Sequence, residues 1–241
     1  MLEAAFWTLL AAGSLLVGMW LTFLLHPSQR AIGMVMAFGA GAMISAVSFE
    51  LVEEALAVGT LVLATLGLAA GALTFYFGDR LIDRSGGGDR KRSTGRQSEG
   101  SSLAIVLGAA LDGVPESLIV GMSLVVGGGV SVSFVAATFL SNLPEAMAAT
   151  RGLGEAGWPR SKVVRLWTLV VVVSVAAGVL GYVLFVAVPS GTGAFIQAFA
   201  AGALLTMLAD TMMPEAFEFG GKLVGLFTVG GFAAALILAQ L

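Results

Sequence analysis

"LSNLPEAM" (residues 140–147) repeats, 29 residues on, the pattern of "LDGVPESL" (residues 111–118), and both stretches lie inside long apolar runs. A proline within a helix removes one hydrogen bond and leaves the carbonyl four residues back without its donor. Those carbonyls belong to Leu111 and Leu140. A carboxylate follows each proline directly, Glu116 after Pro115 and Glu145 after Pro144. Asp112 and Glu116 stand four residues apart, on one helical face, as do Ser141 and Glu145. Kink, freed carbonyl and carboxylate together make an oxygen-rich pocket. Proline and glycine also bend packed membrane helices with no chemistry attached. A bend alone, however, needs no acid beside it, and here the same acid stands beside both.

The runs around these stretches fix the class. Of 241 residues, 58% are hydrophobic and 11% charged, whereas a soluble domain carries about 25% charged residues. Mean hydropathy is +0.97. The chain reads as one transmembrane domain over 1–241, all-α, with spans at about 4–25, 31–55, 57–78, 103–126, 131–150, 163–188, 194–216 and 221–240. Helices are expected because they satisfy their own backbone groups in lipid. No cysteine is present, which excludes disulfides, thiolate metal sites and cysteine nucleophiles. The first run lacks a basic leader and a small-residue cleavage site, so it is read as a retained span.

Residues 79–102 break the apolar pattern with "DRLIDRSGGGDRKRSTGRQSEGSS", a composition expected to form a flexible loop. It holds Arg80, Arg84, Arg90, Lys91, Arg92 and Arg96. The other cations are Arg30, Arg151, Arg160, Lys162, Arg165 and Lys222. All 12 follow odd-numbered spans, so all fall on one side of the membrane. The positive-inside rule makes that side cytoplasmic and puts both termini outside. The expected location is the plasma (inner) membrane.

Two internal repeats emerge. "AFGAGAMISAVSFELVEEA" (37–55) aligns with "AFAAGALLTMLADTMMPEA" (198–216) at an offset of 161, with Gly41 and Gly202, and Glu54 and Glu215, in register. The Pro-Glu stretches align at an offset of 29. In the expected topology each pair runs antiparallel, as inverted transporter repeats do.

Glu50, Glu53, Glu54, Asp112, Glu116, Glu145, Asp210, Glu215 and Glu218 lie within or at the edges of spans. An acid at the centre of a membrane helix costs about 2.5–3.5 kcal/mol on insertion scales, and such residues are rare and mostly functional. No Lys or Arg lies deep in any span. The acids therefore either carry a proton or hold a cation that enters from water. Their depth sets an order: Glu50, Glu53 and Glu54 at the outer mouth, Asp112, Glu116 and Glu145 at the midplane, and Asp210, Glu215 and Glu218 on the way out to the cytoplasm. Acids near an interface are also often simply solvated.

At these residues the chain resembles the ZIP (Zrt-, Irt-like protein) family of divalent metal transporters. The resemblance rests on Pro115-Glu116, Pro144-Glu145 and the "MMPEA" of span 7. It implies a fold of eight spans in an inverted 3+2+3 arrangement, often a homodimer, with spans 1, 4, 5 and 6 moving like an elevator against 2, 3, 7 and 8. It implies a metal site from Asp112, Glu116, Ser141, Asn142 and Glu145. Departures are large. Asp112 and Ser141 stand where the family has histidines, Gly113 replaces an asparagine, and Asn142 replaces an acid. A second metal would have only Asn142 and shared carboxylates, so one ion is expected.

Ligand softness refines the choice of ion. Histidine and cysteine favour zinc and copper, whereas oxygen-only sites suit harder ions such as manganese. The family points to zinc or iron, the donor set to manganese or iron(II), and carboxylates do bind zinc. The expected substrate is thus Zn, Mn or Fe as a divalent ion, with no organic cofactor, membrane lipid as surroundings and no nucleic acid. An enzyme is not expected, since the chain has neither an HExxH nor a G-x-S-x-G motif. Two rival functions stay open. One is a ZIP-fold protein that has lost transport and serves as a regulatory or structural partner. The other is a proton- or sodium-coupled cation exchanger. His26, the sole histidine, is read as ending the first helix rather than as a ligand.

Overall fold

The computed structural model describes residues 1–82, 102–126, 131–187 and 190–240, with side chains in the fourth helix from Gly113 onward. Most of the loop expected at 79–102, and the glycine turn at 127–129, lie outside the described residues; Asp79 and Arg80 still belong to a helix. In chain order the helices are α1 (Leu2–Leu25), α2 (Gln29–Val58), α3 (Leu61–Ile82), α4 (Ser102–Val126), α5 (Val132–Glu155), α6 (Arg160–Val186), α7 (190–220) and α8 (Val224–Leu238). No strand occurs among the described residues.

Local chemistry sets the ends. His26 closes α1 in the left-handed conformation, φ 46°, with its N–H bonded to the Thr22 carbonyl. Pro27 follows, and Ser28 then caps α2 by accepting from the Ala31 amide at 3.2 Å. Thr60 and Ser131 cap α3 and α5 in the same way. Among the described residues, six helical stretches are long and apolar enough to cross a membrane, and Gly113–Val125 is a further apolar helix. The last stretch, Thr192–Leu238, has 47 residues, about 70 Å of helix against a hydrocarbon core of about 30 Å. It breaks at Gly221, φ 66°, which permits two passes. Leu2, Leu24, Val172, Leu226 and Val229 are exposed on the outer faces, while small side chains such as Ala37, Ala40, Ala42 and Ala201 fill the interior. That distribution suits lipid as solvent. The protein is an all-helical integral membrane protein.

Glycine–backbone approach sets the packing, as is usual where apolar surface gives no drive for helices to associate. A Cβ on Gly41 would collide with the Thr228 carbonyl, and one on Gly231 with that of Phe38, so α2 and α8 touch backbone to backbone. Gly71 and Gly202 do the same for α3 and α7, and Gly121 and Gly181 for α4 and α6. Gly18 receives the Leu143 carbonyl and joins α1 to α5. Trp167 of α6 donates from Nε1 to Thr150 Oγ1 of α5 at 2.9 Å, both residues buried.

α2 and α7 each contain one π-helical turn, Val47–Val52 and Leu208–Met212, beginning 161 residues apart. Such turns lodge an extra residue in a helix and are frequent at functional sites.

One end of the bundle gathers the basic corners. Arg151 donates to the Pro27 carbonyl at 3.0 Å. Arg160 sits over the Phe23 ring at 5.2 Å. Gly33 packs on Phe219 and Gly220. These contacts bring the corners that carry Arg30, Arg151, Arg160, Lys162 and Lys222 to a common level. At the other end Gly59 meets Ala194.

Candidate cation site

Both Pro-Glu stretches are continuous helix, with Pro115 inside α4 and Pro144 inside α5. Glu116 is 1% exposed. Ser141, equally buried, reaches it from α5 with Oγ 3.4 Å from Glu116 Oε1, and also donates to the Thr138 carbonyl at 3.0 Å. The shorter bond holds the hydroxyl at the helix backbone and leaves the longer one as the bridge between the two helices. Asn142 is buried on the next position, and Glu145 is half-buried one turn further on. Asp112 belongs to α4, but its side chain lies outside the described residues. Among the described residues no group of three His, Cys, Asp or Glu side chains could hold a metal. Of the sequence-predicted set, the structure joins Glu116 to Ser141, with Asn142 and Glu145 next along α5.

The Leu140 carbonyl, which Pro144 deprives of its usual amide, lies against Gly39 of α2, where a Cβ would stand 2.6 Å from the oxygen. The freed carbonyl therefore meets the α2 backbone one residue before Ser141. Ser174 of α6 was not singled out in the sequence. It is buried, and its Oγ lies 3.3 Å from where a Cβ on Gly113 would stand, so α6 contributes a hydroxyl beside Gly113 of α4.

The flanking acids separate by end. Glu50, within the π turn of α2, accepts a short hydrogen bond from Ser133 at the start of α5. Glu54 is half-buried, four residues beyond Glu50 on the same helix. Glu53 is exposed. Toward the opposite, basic end, Asp210 sits in the π turn of α7 and is exposed, Glu215 is half-buried and Glu218 is exposed. The sequence analysis missed Ser133, Thr138 and Gln197, all buried. Gln197 carried a signal, as an amide inside an apolar run. The two hydroxyls carried none, since serine and threonine are common in membrane helices.

Along α5, Ser133, Thr138, Ser141, Asn142 and Glu145 recur at about helical spacing. Ser133 and Ser141 are separated by about 12 Å of helix rise. A polar stripe thus runs from the Glu50 region to Glu116. Beside the site, an apolar cavity of about 450 Å³ opens between α3, α4, α6 and α7, lined by Phe75, Pro115, Ile119, Met122, Phe185 and Phe199 among others. No protein-family model matches this chain, and no curated protein matches it.

Proposed function

We propose that the protein carries a divalent metal cation across the membrane, toward the cytoplasm, through a carboxylate site at the contact of the two Pro-Glu helices. The observation that carries the reading is Glu116, fully buried at the middle of an apolar helix and bridged to Ser141 of the second Pro-Glu helix. An ionisable group at such depth is expensive in lipid and is retained for ion pathways and relays. Asp112, Glu145, Asn142 and Ser141 complete the proposed donor set, with Glu50, Glu53 and Glu54 before it and Asp210, Glu215 and Glu218 after it. Oxygen donors favour manganese or iron(II) over zinc.

The ZIP-like architecture of eight spans with inverted repeats belongs to the same proposal. One feature supports it. The π turns of α2 and α7 begin at the same 161-residue offset that aligns the two sequences. The glycine-tight pairs α2–α8 and α3–α7 on one side and α4–α6 and α1–α5 on the other flank the cavity, and they meet where Gly39 of α2 receives the Leu140 carbonyl of α5. Motion of α1, α4, α5 and α6 as one body against the rest, taken from the resemblance, would have to slide or break that contact. A homodimer is part of the reading taken from the resemblance.

Uptake of radiolabelled Mn²⁺, Fe²⁺ and Zn²⁺ by proteoliposomes holding the purified protein tests the function. Saturable uptake that Glu116→Gln and Glu145→Gln abolish is expected. No uptake of any of the three would overturn transport and leave the reading of a ZIP-fold protein without it. Uptake that requires an opposing proton or sodium gradient would select the exchanger.

A further inference from the structure

We infer that the apolar cavity between α3, α4, α6 and α7 is a seat for one acyl chain of a membrane lipid, entered sideways from the bilayer. Its long walls come from two helices. On α4, Pro115, Leu118, Ile119 and Met122 line it, at the spacing of one continuous helical face. On α7, Ile196, Phe199, Ala200 and Ala203 repeat that spacing. Each set covers about 10 Å of helix rise, so the cavity is a slot running along the helices. One leaflet's chains fill about 15 Å of the hydrocarbon core, and a slot of this length and direction suits a chain lying along the membrane normal. α4 and α7 pack on each other, and α3 and α6 supply the remaining sides.

Chemistry and position select the occupant. Among the described residues that line the slot, Thr74 is the one with a polar side chain, and its hydroxyl is already bonded to the Ala70 carbonyl at 2.8 Å. Water needs about two to four polar partners to stay in a cavity. The walls offer no charge to an ion and no hydrogen bonds to a peptide. The volume of about 450 Å³ falls within the range of about 300–1,000 Å³ usual for small-molecule pockets. Left empty, such walls lose the dispersion contacts that hydrocarbon would supply. The slot is also continuous with the face that the bundle presents to lipid. Its edge residues Thr74 and Leu184 are exposed, beside exposed Leu73 and Phe77 of α3 and exposed Leu180 and Val183 of α6. Deeper in, Ile119 and Met122 are 2% and 5% exposed. The chain's own polar stretch, residues 83–101, has no apolar side chain to fill the space. Pro115 lies in the wall and directly precedes Glu116, so a seated chain rests against α4 where the proline interrupts it. The inference stands apart from the transport reading, since the slot takes the chain whether or not an ion crosses.

The test is photolabelling of the full-length chain in nanodiscs, one chain per disc, with a phosphatidylcholine that carries a diazirine in mid-chain, followed by mass mapping of the labelled peptides. Any surrounding bilayer labels outward residues such as Leu73, Phe77 and Leu226. The site adds label at Ile119 and Met122, expected within about threefold of the yield at Leu226. Ala200→Phe puts a ring into the slot and should lower the label at Ile119 and Met122 at least fivefold while leaving Leu226 unchanged. Leu226→Phe, on the exposed face of α8, should leave the wall label as it was. Label confined to outward residues in the unaltered protein would overturn the site without recourse to any variant. Wall label that persists through Ala200→Phe, in a protein still monodisperse and helical, would overturn it as well. Wall label present with one chain per disc and lost with two would give the cavity to a second copy of the protein and overturn the lipid as its occupant.

Discussion

The carbonyl of Leu140 lies against the backbone of Gly39, so close that a Cβ at Gly39 would stand 2.6 Å from the oxygen and 2.9 Å from the carbonyl carbon. Neither atom belongs to a side chain that can swing away. Gly39→Ala therefore forces α2 and α5 apart next to the proposed site. We expect a stability loss of about 1–3 kcal/mol, the usual range for overpacking, together with loss of uptake. Gly13→Ala is the matched control, since nothing lies within 4 Å of the added Cβ. It should change stability by no more than about 1 kcal/mol. Thermal unfolding of both variants in detergent measures the contrast, and equal losses would show that the close approach does not constrain the bundle.

Thr150 accepts the hydrogen bond of the Trp167 indole N–H at 2.9 Å, in a contact where both residues are 1% exposed. Thr150→Val keeps the shape and leaves the N–H without its acceptor. The expected cost is about 1–3 kcal/mol, the desolvation penalty of a buried donor. Trp167→Phe in the Thr150→Val background should lose less than Trp167→Phe alone added to Thr150→Val, because the orphaned donor is gone. A double-mutant cycle by unfolding gives the coupling, and strict additivity would remove the bond from the account.

Glu116→Gln retains shape and the capacity to accept from Ser141 while removing charge. Uptake should fall at least tenfold with helix content and monodispersity unchanged. Full activity in this variant would sink the midplane site. Asp112→His places a nitrogen donor four residues before Glu116 on the same helix. Competitive binding of Mn²⁺ and Zn²⁺ should then move toward zinc. An unchanged preference would take Asp112 out of the donor set.

The expected sidedness can be read with single cysteines, since the chain has none of its own. Leu2→Cys should react with a membrane-impermeant maleimide in intact cells. Ser93→Cys, in the basic stretch, should react only after permeabilisation. The reverse pattern would invert the topology and with it the proposed direction of transport.

Much of the fold was legible in the chain because it follows from local properties. Apolar runs of span length, capped by Ser28, Thr60 and Ser131 and closed by His26, dictate helices and their ends whatever packs around them. The Pro-Glu pairs announced where carboxylates would be buried, and Glu116 is buried there. The placement of Arg30, Arg151, Arg160 and Lys222 after alternate runs fixed that they share an end, and the contacts of Pro27, Phe23 and Gly33 gather those corners together.

Which faces meet was not legible, because it depends on backbone approach between residues far apart in the chain. Nothing in the order of residues says that Gly39 receives the Leu140 carbonyl, that Ser141 turns toward Glu116, or that Ser133 reaches Glu50 across 83 residues. A glycine in an apolar run marks a possible contact without naming the partner, and a lone serine or glutamine carries no periodic signal. The π turns in α2 and α7 were hidden for a related reason. An extra residue in a turn is held by tertiary packing against neighbouring helices, and Glu50 acquires its place beside Ser133 only once that packing exists.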